Sequence, residues 1–322
     1  MAVGGLVSLW RRFWFTAVPV RRVAFVRVVA CVFAFVDVAT SGYITRAGEA
    51  DRVFSERLPI FRVVQTLTGD AAASSTALRV VQIVLLVTLA CAAVGLGTRL
   101  ALLAAAPLYA WWWASEFGFA LAGAQGRLAV IVTLGVLAIA PAGGAYSVDA
   151  ALAKRRGRAP AAEVDEVAGW AVRFATVFVV ISYVGSACTK VKTAGIGWPW
   201  GGALDSALLH HGSRLGLYLA RSPWLVHLLA LTALVWLATA WVLLLPRASF
   251  LTRRLRDVWV VYGAAAVLLS YVLLGLSFFG WALLSCLAYD LERAVPQGRM
   301  VLQRVAERLR SSPATAAARS RL

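Results

Sequence analysis

Lys190 closes a long apolar run, Ala171-Val-Arg-Phe-Ala-Thr-Val-Phe-Val-Val-Ile-Ser-Tyr-Val-Gly-Ser-Ala-Cys-Thr-Lys190, and Trp198-Pro-Trp-Gly-Gly202 follows it. An amine desolvated among helices can act as a base, whereas the same amine beside a carboxylate is held as a cation. On a continuous helix Tyr183, Ser186 and Lys190 fall at i, i+3 and i+7, one stripe aimed at one neighbour. Asp37, Glu116 and Asp205 are expected at about the same depth. Lys190 is therefore the candidate base, and Tyr183 and Asp205 are the candidates to support it. Trp198 and Trp200 are the residues against which a cofactor would rest. The competing reading is a Lys190 that snorkels to the interface and pairs with a carboxylate.

Other chemistries find less support. His210 and His211 are adjacent and point about 100° apart on a helix, with no acidic or His partner at the next turn, so no metal site is expected. His227 is expected to hydrogen-bond to a neighbouring helix. Cys31, Cys91, Cys188 and Cys286 are widely spaced without a Cys-x-x-Cys pair and read as small buried hydrophobes, except that Lys190 near Cys188 could lower the pKa of its thiol. The chain has neither a Gly-rich phosphate loop nor a Ser/His/Asp arrangement.

The elements that must position Lys190 follow from composition. With 61% hydrophobic residues, mean hydropathy +0.77 and 13 Trp in 322 residues, the chain is too apolar for a soluble domain. Its net charge of +17 punctuates the apolar runs instead of clustering on one soluble face. That argues against nucleic acid and for anionic lipid head groups as partners.

A hydrocarbon core of about 30 Å needs roughly 20 apolar residues per helix. Spans are expected near 23–42, 79–97, 99–115, 128–145, 169–189, 223–245 and 258–276, with a shorter eighth near 277–291 after a break at Gly275 or Gly280. An N-in, C-in arrangement with about eight spans places 20 Lys and Arg inside against nine outside, as the positive-inside rule prefers. Lys190 then faces the extracytoplasmic side. Arg27 and Arg173 are expected to snorkel to the inner face. Trp111, Trp112 and Trp113 read as an interfacial aromatic belt.

The expected fold is an all-α polytopic membrane helix bundle, multi-pass in the cell membrane. Residues 1–21 form a cytoplasmic amphipathic segment, 22–291 the transmembrane domain and 292–322 a basic cytoplasmic tail. Leu6, Leu9, Trp10 and Phe13 beside Arg11 and Arg12, and Val301, Leu302, Val305 and Leu309 beside Arg304 and Arg308, suit helices lying in the head-group region. The first span carries Arg27 and Asp37 without a small-residue cleavage site, so it is expected to be retained. The loops 43–78 and 190–222 are long enough to form an outer cap.

Three stretches carry a resemblance. Ile181-Ser-Tyr-Val-Gly-Ser-Ala-Cys-Thr-Lys190-Val191, then Trp198 and Gly201-Gly-Ala203, resembles the tyrosine, small residue, lysine, hydrophobic, tryptophan, glycine pattern of the horizontally transferred transmembrane (HTTM) family. That membrane domain is shared with vitamin K-dependent gamma-carboxylase. Ala140-Pro-Ala-Gly-Gly-Ala-Tyr-Ser-Val-Asp149-Ala is similar to the family's proline, glycine, serine, hydrophobic, aspartate signature, and Arg27 matches its early arginine. The likeness covers about residues 22–290.

The resemblance implies a reduced quinone cofactor, vitamin K or menaquinol, with Lys190 deprotonating it. Oxygenation then yields a stronger base that removes a glutamate gamma proton before carbon dioxide adds. A secreted or membrane peptide is the implied substrate. Two departures stand against a full transfer. Where many members carry a His in the penultimate span this chain has Leu268-Leu-Ser-Tyr-Val272, and its end about 30 residues past the last span leaves no room for a large lumenal domain. A non-enzymatic scaffold or peptide-toxin maturation partner is the alternative. A transporter is a weaker one, with no inverted repeat and only the Gly275 to Gly280 break in its favour.

Overall fold

Inside a bilayer every backbone N–H and C=O must be paired within the protein, and long apolar segments meet that demand as helices. The computed structural model describes residues 2–41, 66, 75–118, 125–158, 164–245 and 249–274. In chain order these form α1 (Ala2–Trp14), β1 (Val18–Pro19), α2 (Val20–Thr40), α3 (Ser75–Val94), α4 (Thr98–Gly118), α5 (Gln125–Ile139), α6 (Val148–Arg155), β2 (Val164–Asp165) and α7 (Glu166–Ala194). A 3-10 turn at Trp198–Trp200 leads to α8 (Ala203–His211), α9 (Arg214–Leu219), α10 (Pro223–Ala238) with a 3-10 continuation at Ala240–Leu244, and α11 (Phe250–Leu274).

Among the described residues, four helical segments are long and apolar enough to cross a membrane: α2, α7, Pro223–Leu244 and α11. Shorter apolar stretches occupy Leu78–Val94 and Arg127–Ile139. The chain is a helical, multi-pass membrane protein. Helices occupy the first seven expected spans with shifted ends: α7 and α11 run past their expected bounds, whereas α5 falls short. The fourth was expected to reach residue 145, but α5 stops at Ile139. Pro141 has no N–H to extend it, and the carbonyls of Ala142 and Tyr146 bond Arg27 instead of the next turn. The expected eighth span, Gly275 and Gly280, most of the loop 43–78, the Glu116 side chain, Cys286 and the tail lie outside the described residues.

One short ladder orders the helices. β1 pairs antiparallel with β2, Val18 opposite Asp165 and Pro19 opposite Val164. Each strand runs directly into a long helix, α2 or α7, so both helices start at the same end of the bundle. We call this the Arg27 end, and the opposite one, where α7 finishes, the Lys190 end. α2, α3, α4 and α5 pack in succession and α7 closes against α2 and α5. Their shared core includes Val23, Leu85, Leu102, Leu134 and Val179, and Trp112, expected at an interface, is fully buried in it. A second cluster of Leu208, Val226, Leu273 and Leu274 lies at the Lys190 end under α8 and α9.

The amphipathic N-terminal segment forms α1, with Val7, Trp10, Arg11 and Arg12 exposed. It docks on the start of α7, where the Arg173 guanidinium lies 4.8 Å from the centre of the Phe13 ring. Arg173 is thus held by an aromatic face.

Candidate functional site

The sequence caps the Lys190 helix at both ends. Asp165 accepts a hydrogen bond from the Ala168 N–H at 2.8 Å, Glu166 adds an acidic first turn, and the helix stops at Gly195. Its 29 residues span about 43 Å, beyond the roughly 30 Å of hydrocarbon. Lys190 lies close to the last turn of this helix.

Lys190 is half-buried. Its Nζ donates to Ser186 Oγ at 2.9 Å and lies 5.4 Å from the centre of the Trp198 ring. Two turn bonds hold that indole in place: Trp198 N–H to Gly195 O at 3.2 Å and Trp200 N–H to Gly197 O at 2.9 Å, with Pro199 buried beneath. Trp200 itself is exposed. Among the described residues no carboxylate lies within ion-pair distance of Lys190.

Among the described residues, the two carboxylates expected at the depth of Lys190, Asp205 and Asp37, have other partners. Asp205, in the first turn of α8, lies 3.8 Å from His227 Nε2 on α10. That contact becomes an ion pair when His227 is protonated; at 3.8 Å it is longer than the hydrogen bond expected of His227. Asp37 on α2 takes both Arg127 nitrogens, Nε and Nη2, at 2.8 Å each, and the Tyr109 hydroxyl at 2.8 Å. This bidentate pair joins three helices.

Tyr183 lies on the same continuous helix, two turns before Lys190, and meets an aromatic neighbourhood. It is fully buried, with ring centres 4.8 Å from Trp236 and 5.4 Å from Trp259, both edge-on. The two indoles stack at 5.0 Å, and each donates to the other's backbone carbonyl, Trp236 Nε1 to Trp259 O at 3.1 Å and Trp259 Nε1 to Trp236 O at 3.0 Å. Gly263 makes this possible, since a Cβ there would stand 2.5 Å from the Trp236 ring. The stripe thus divides: Ser186 and Lys190 face one another, and Tyr183 packs into an aromatic core. Sequence reasoning missed Trp236 and Trp259, and also missed the partnership of Arg127 with Asp37. The available signal was two opposite charges at one predicted end of the bundle.

The two other resembling stretches converge at the Arg27 end. Arg27 was expected to snorkel, but it is fully buried and donates to Ala142 O at 2.7 Å, Tyr146 O at 2.5 Å and Ala93 O at 3.4 Å. The cause lies in distant segments: the end of α3 and the stretch after α5 leave carbonyls that need donors, and a guanidinium supplies several. Asp149 completes the knot by accepting from Gly97 N–H at 2.9 Å and from Thr98 N–H and Oγ1 at 2.8 and 2.7 Å. Gly95 sits between them at φ +76°, where a Cβ would collide with Ser147. Desolvation pushes the Asp149 carboxyl upward. The Thr98 and Gly97 hydrogen bonds and the Arg27 charge outweigh it and hold the group below its ordinary value.

Among the described residues no three His, Cys, Asp or Glu side chains converge as a metal site would require. Compared with family models, curated proteins and solved structures, the chain matches none.

Proposed function

We propose that this membrane protein is a carboxylase-like member of the HTTM family that uses Lys190 as a base on a quinol at the extracytoplasmic face. The observation that carries this reading is the company Lys190 keeps: a serine hydroxyl and an indole face, with Asp205 given to His227 and Asp37 to Arg127. A purely structural lysine at a membrane margin would be expected to share a carboxylate.

The residues present fit a flat, apolar-tailed cofactor. Trp198 offers an aromatic face beside Nζ, and the half-buried amine is reachable from outside the helix bundle. A bound quinol, once deprotonated, would be oxygenated by O2 and would so supply the strong base. Lys190 would take the hydroxyl proton at Nζ, Ser186 Oγ would orient that nitrogen, and Trp198 would exclude water from one side. Trp200 and Asp205 remain candidates at the rim, and a secreted or membrane peptide is the substrate class that the family likeness supports.

An N-in, C-in arrangement with eight spans belongs to the same proposal. It is supported by the gathering of Arg21, Arg22, Arg99, Lys154, Arg155, Arg156, Arg253 and Arg254 on elements of the Arg27 end. A second reading, a non-enzymatic scaffold, is favoured by one observation: Tyr183 is committed to the Trp236–Trp259 stack and so stands apart from the amine.

The deciding experiment gives reduced vitamin K or menaquinol and oxygen to the protein in lipid nanodiscs and reads quinone epoxide by mass spectrometry. Epoxide from the wild type and none from Lys190→Met supports the enzyme. No epoxide from a folded wild type removes the carboxylase-like mechanism and leaves the scaffold.

A further inference from the structure

At the Arg27 end, between the starts of α4 and α7 and the stretch after α5, lies a cavity of about 430 Å³ that the Lys190 chemistry does not use. One guanidinium and two carboxylates line it, Arg99, Asp149 and Asp165, with Gly143 and Gly144 beside them.

The three charges differ in how far they are already engaged. Asp149 is fully used: Oδ1 accepts from the Gly97 N–H, and Oδ2 from the Thr98 N–H and Oγ1. Asp165 uses Oδ1 to cap α7 through the Ala168 N–H, and its Oδ2 accepts no hydrogen bond among the described residues. Arg99 is exposed and has neither a hydrogen bond nor an ion pair among the described residues. A cation and a carboxylate thus line one cavity without closing on each other, and more than about 4 Å separates them.

That gap selects the class of ligand. A simple anion would satisfy Arg99 and oppose Asp165, and a simple cation would do the reverse. A molecule that carries both charges satisfies both. α4 begins at Thr98, one residue before Arg99, so the positive end of its dipole adds to the guanidinium and sets the anionic part of the ligand on that side. Asp165 takes the cationic part.

The apolar lining indicates the source. The apolar stretch Arg127–Ile139 stops at this cavity, and Ile139 and Val167, which both line it, are 60% and 44% exposed. Exposed apolar side chains beside unpaired charges suit an amphiphile, whose chains stay with the former while its head reaches the latter.

We infer that this cavity binds the head group of phosphatidylethanolamine, its phosphate against Arg99 and its primary ammonium against Asp165. The two charges of that head group are joined by a two-carbon link, and the ammonium offers N–H donors that a quaternary choline lacks. The site lies at the opposite end of the bundle from Lys190 and does not depend on the role of that residue.

The test uses the full chain in neutral detergent, with phosphatidylethanolamine, phosphatidylcholine and phosphatidylglycerol of one chain length added in equal amounts and adducts read by native mass spectrometry. The wild type retains phosphatidylethanolamine over phosphatidylcholine by about fivefold, the effect of one hydrogen bond, and also over phosphatidylglycerol. Asp165→Asn, which can still cap α7, loses the preference between the first two. Arg99→Gln, at an exposed position, lowers both adducts alike. Glycerophosphoethanolamine, the same head without chains, fails to displace the lipid at equal concentration. Equal wild-type retention of phosphatidylethanolamine and phosphatidylcholine, or a preference for phosphatidylglycerol, overturns the site with no variant needed. So does an unchanged preference in Asp165→Asn, or unchanged adducts in Arg99→Gln. Displacement by glycerophosphoethanolamine would assign the cavity to a soluble zwitterion and overturn the lipid.

Discussion

Trp236 and Trp259 exchange hydrogen bonds: each indole N–H donates to the other residue's carbonyl, at 3.1 and 3.0 Å, across a 5.0 Å ring stack. The exchange fixes the register between α10 and α11 without a charge, in a setting where apolar packing alone discriminates weakly between registers.

Gly263→Ala tests how tightly that register is held. The added methyl meets the Trp236 ring, and overpacking of this kind costs about 1–3 kcal/mol. Trp236→Phe removes the colliding atoms, so the double variant should be less unstable than the two single losses summed. Thermal unfolding in detergent reads the difference, and strict additivity would contradict the contact.

Asp37→Asn removes the carboxylate charge that Arg127 pairs with, in a site where the two side chains are 18% and 7% exposed. Removing one partner of a buried pair costs about 3–5 kcal/mol. Asp37→Leu with Arg127→Met should recover most of it. A double variant as unstable as Asp37→Asn would show that the helices depend on the pair itself.

Asp149 gives the Arg27 end a pH dependence of known sign. Its folded carboxyl is held below the ordinary range, so its contribution is complete above about pH 4 and fades as pH falls through the lowered folded value. Asp149→Asn should unfold at a lower temperature near neutrality, with the gap from wild type closing toward pH 3. A gap that stays constant across that window would assign the effect to shape.

Lys190→Arg separates the two readings of the amine. A guanidinium stays charged at all working pH and cannot accept a proton. Quinol oxygenation should fall to the Lys190→Met level while unfolding temperature changes little. Activity retained in Lys190→Arg would sink the base role.

The apolar runs were legible because length and hydropathy alone decide where a helix can cross. Lys190 above Ser186 was legible for the same reason, since helical periodicity sets neighbours at i and i+4. Arg27 was not. Its depth in α2 suggested snorkelling, and only the three-dimensional meeting of the α3–α4 turn with the stretch after α5 supplies the carbonyls that bury it. The neighbours of Tyr183 were not legible either: periodicity gives a face but does not say which helix comes to meet it, and here Trp236 and Trp259 do.

The two-residue ladder of β1 and β2 acts as a common datum for depth. α2 and α7 both count outward from it, so the level of Asp37 relative to Lys190 is set by the number of residues after each strand. Inserting one residue into α2 would raise Asp37 by about 1.5 Å and swing it about 100° away from Arg127, leaving Lys190 where it was. Evolution could therefore tune the height of one charged layer without touching the other, provided that Val18 and Asp165 stay paired.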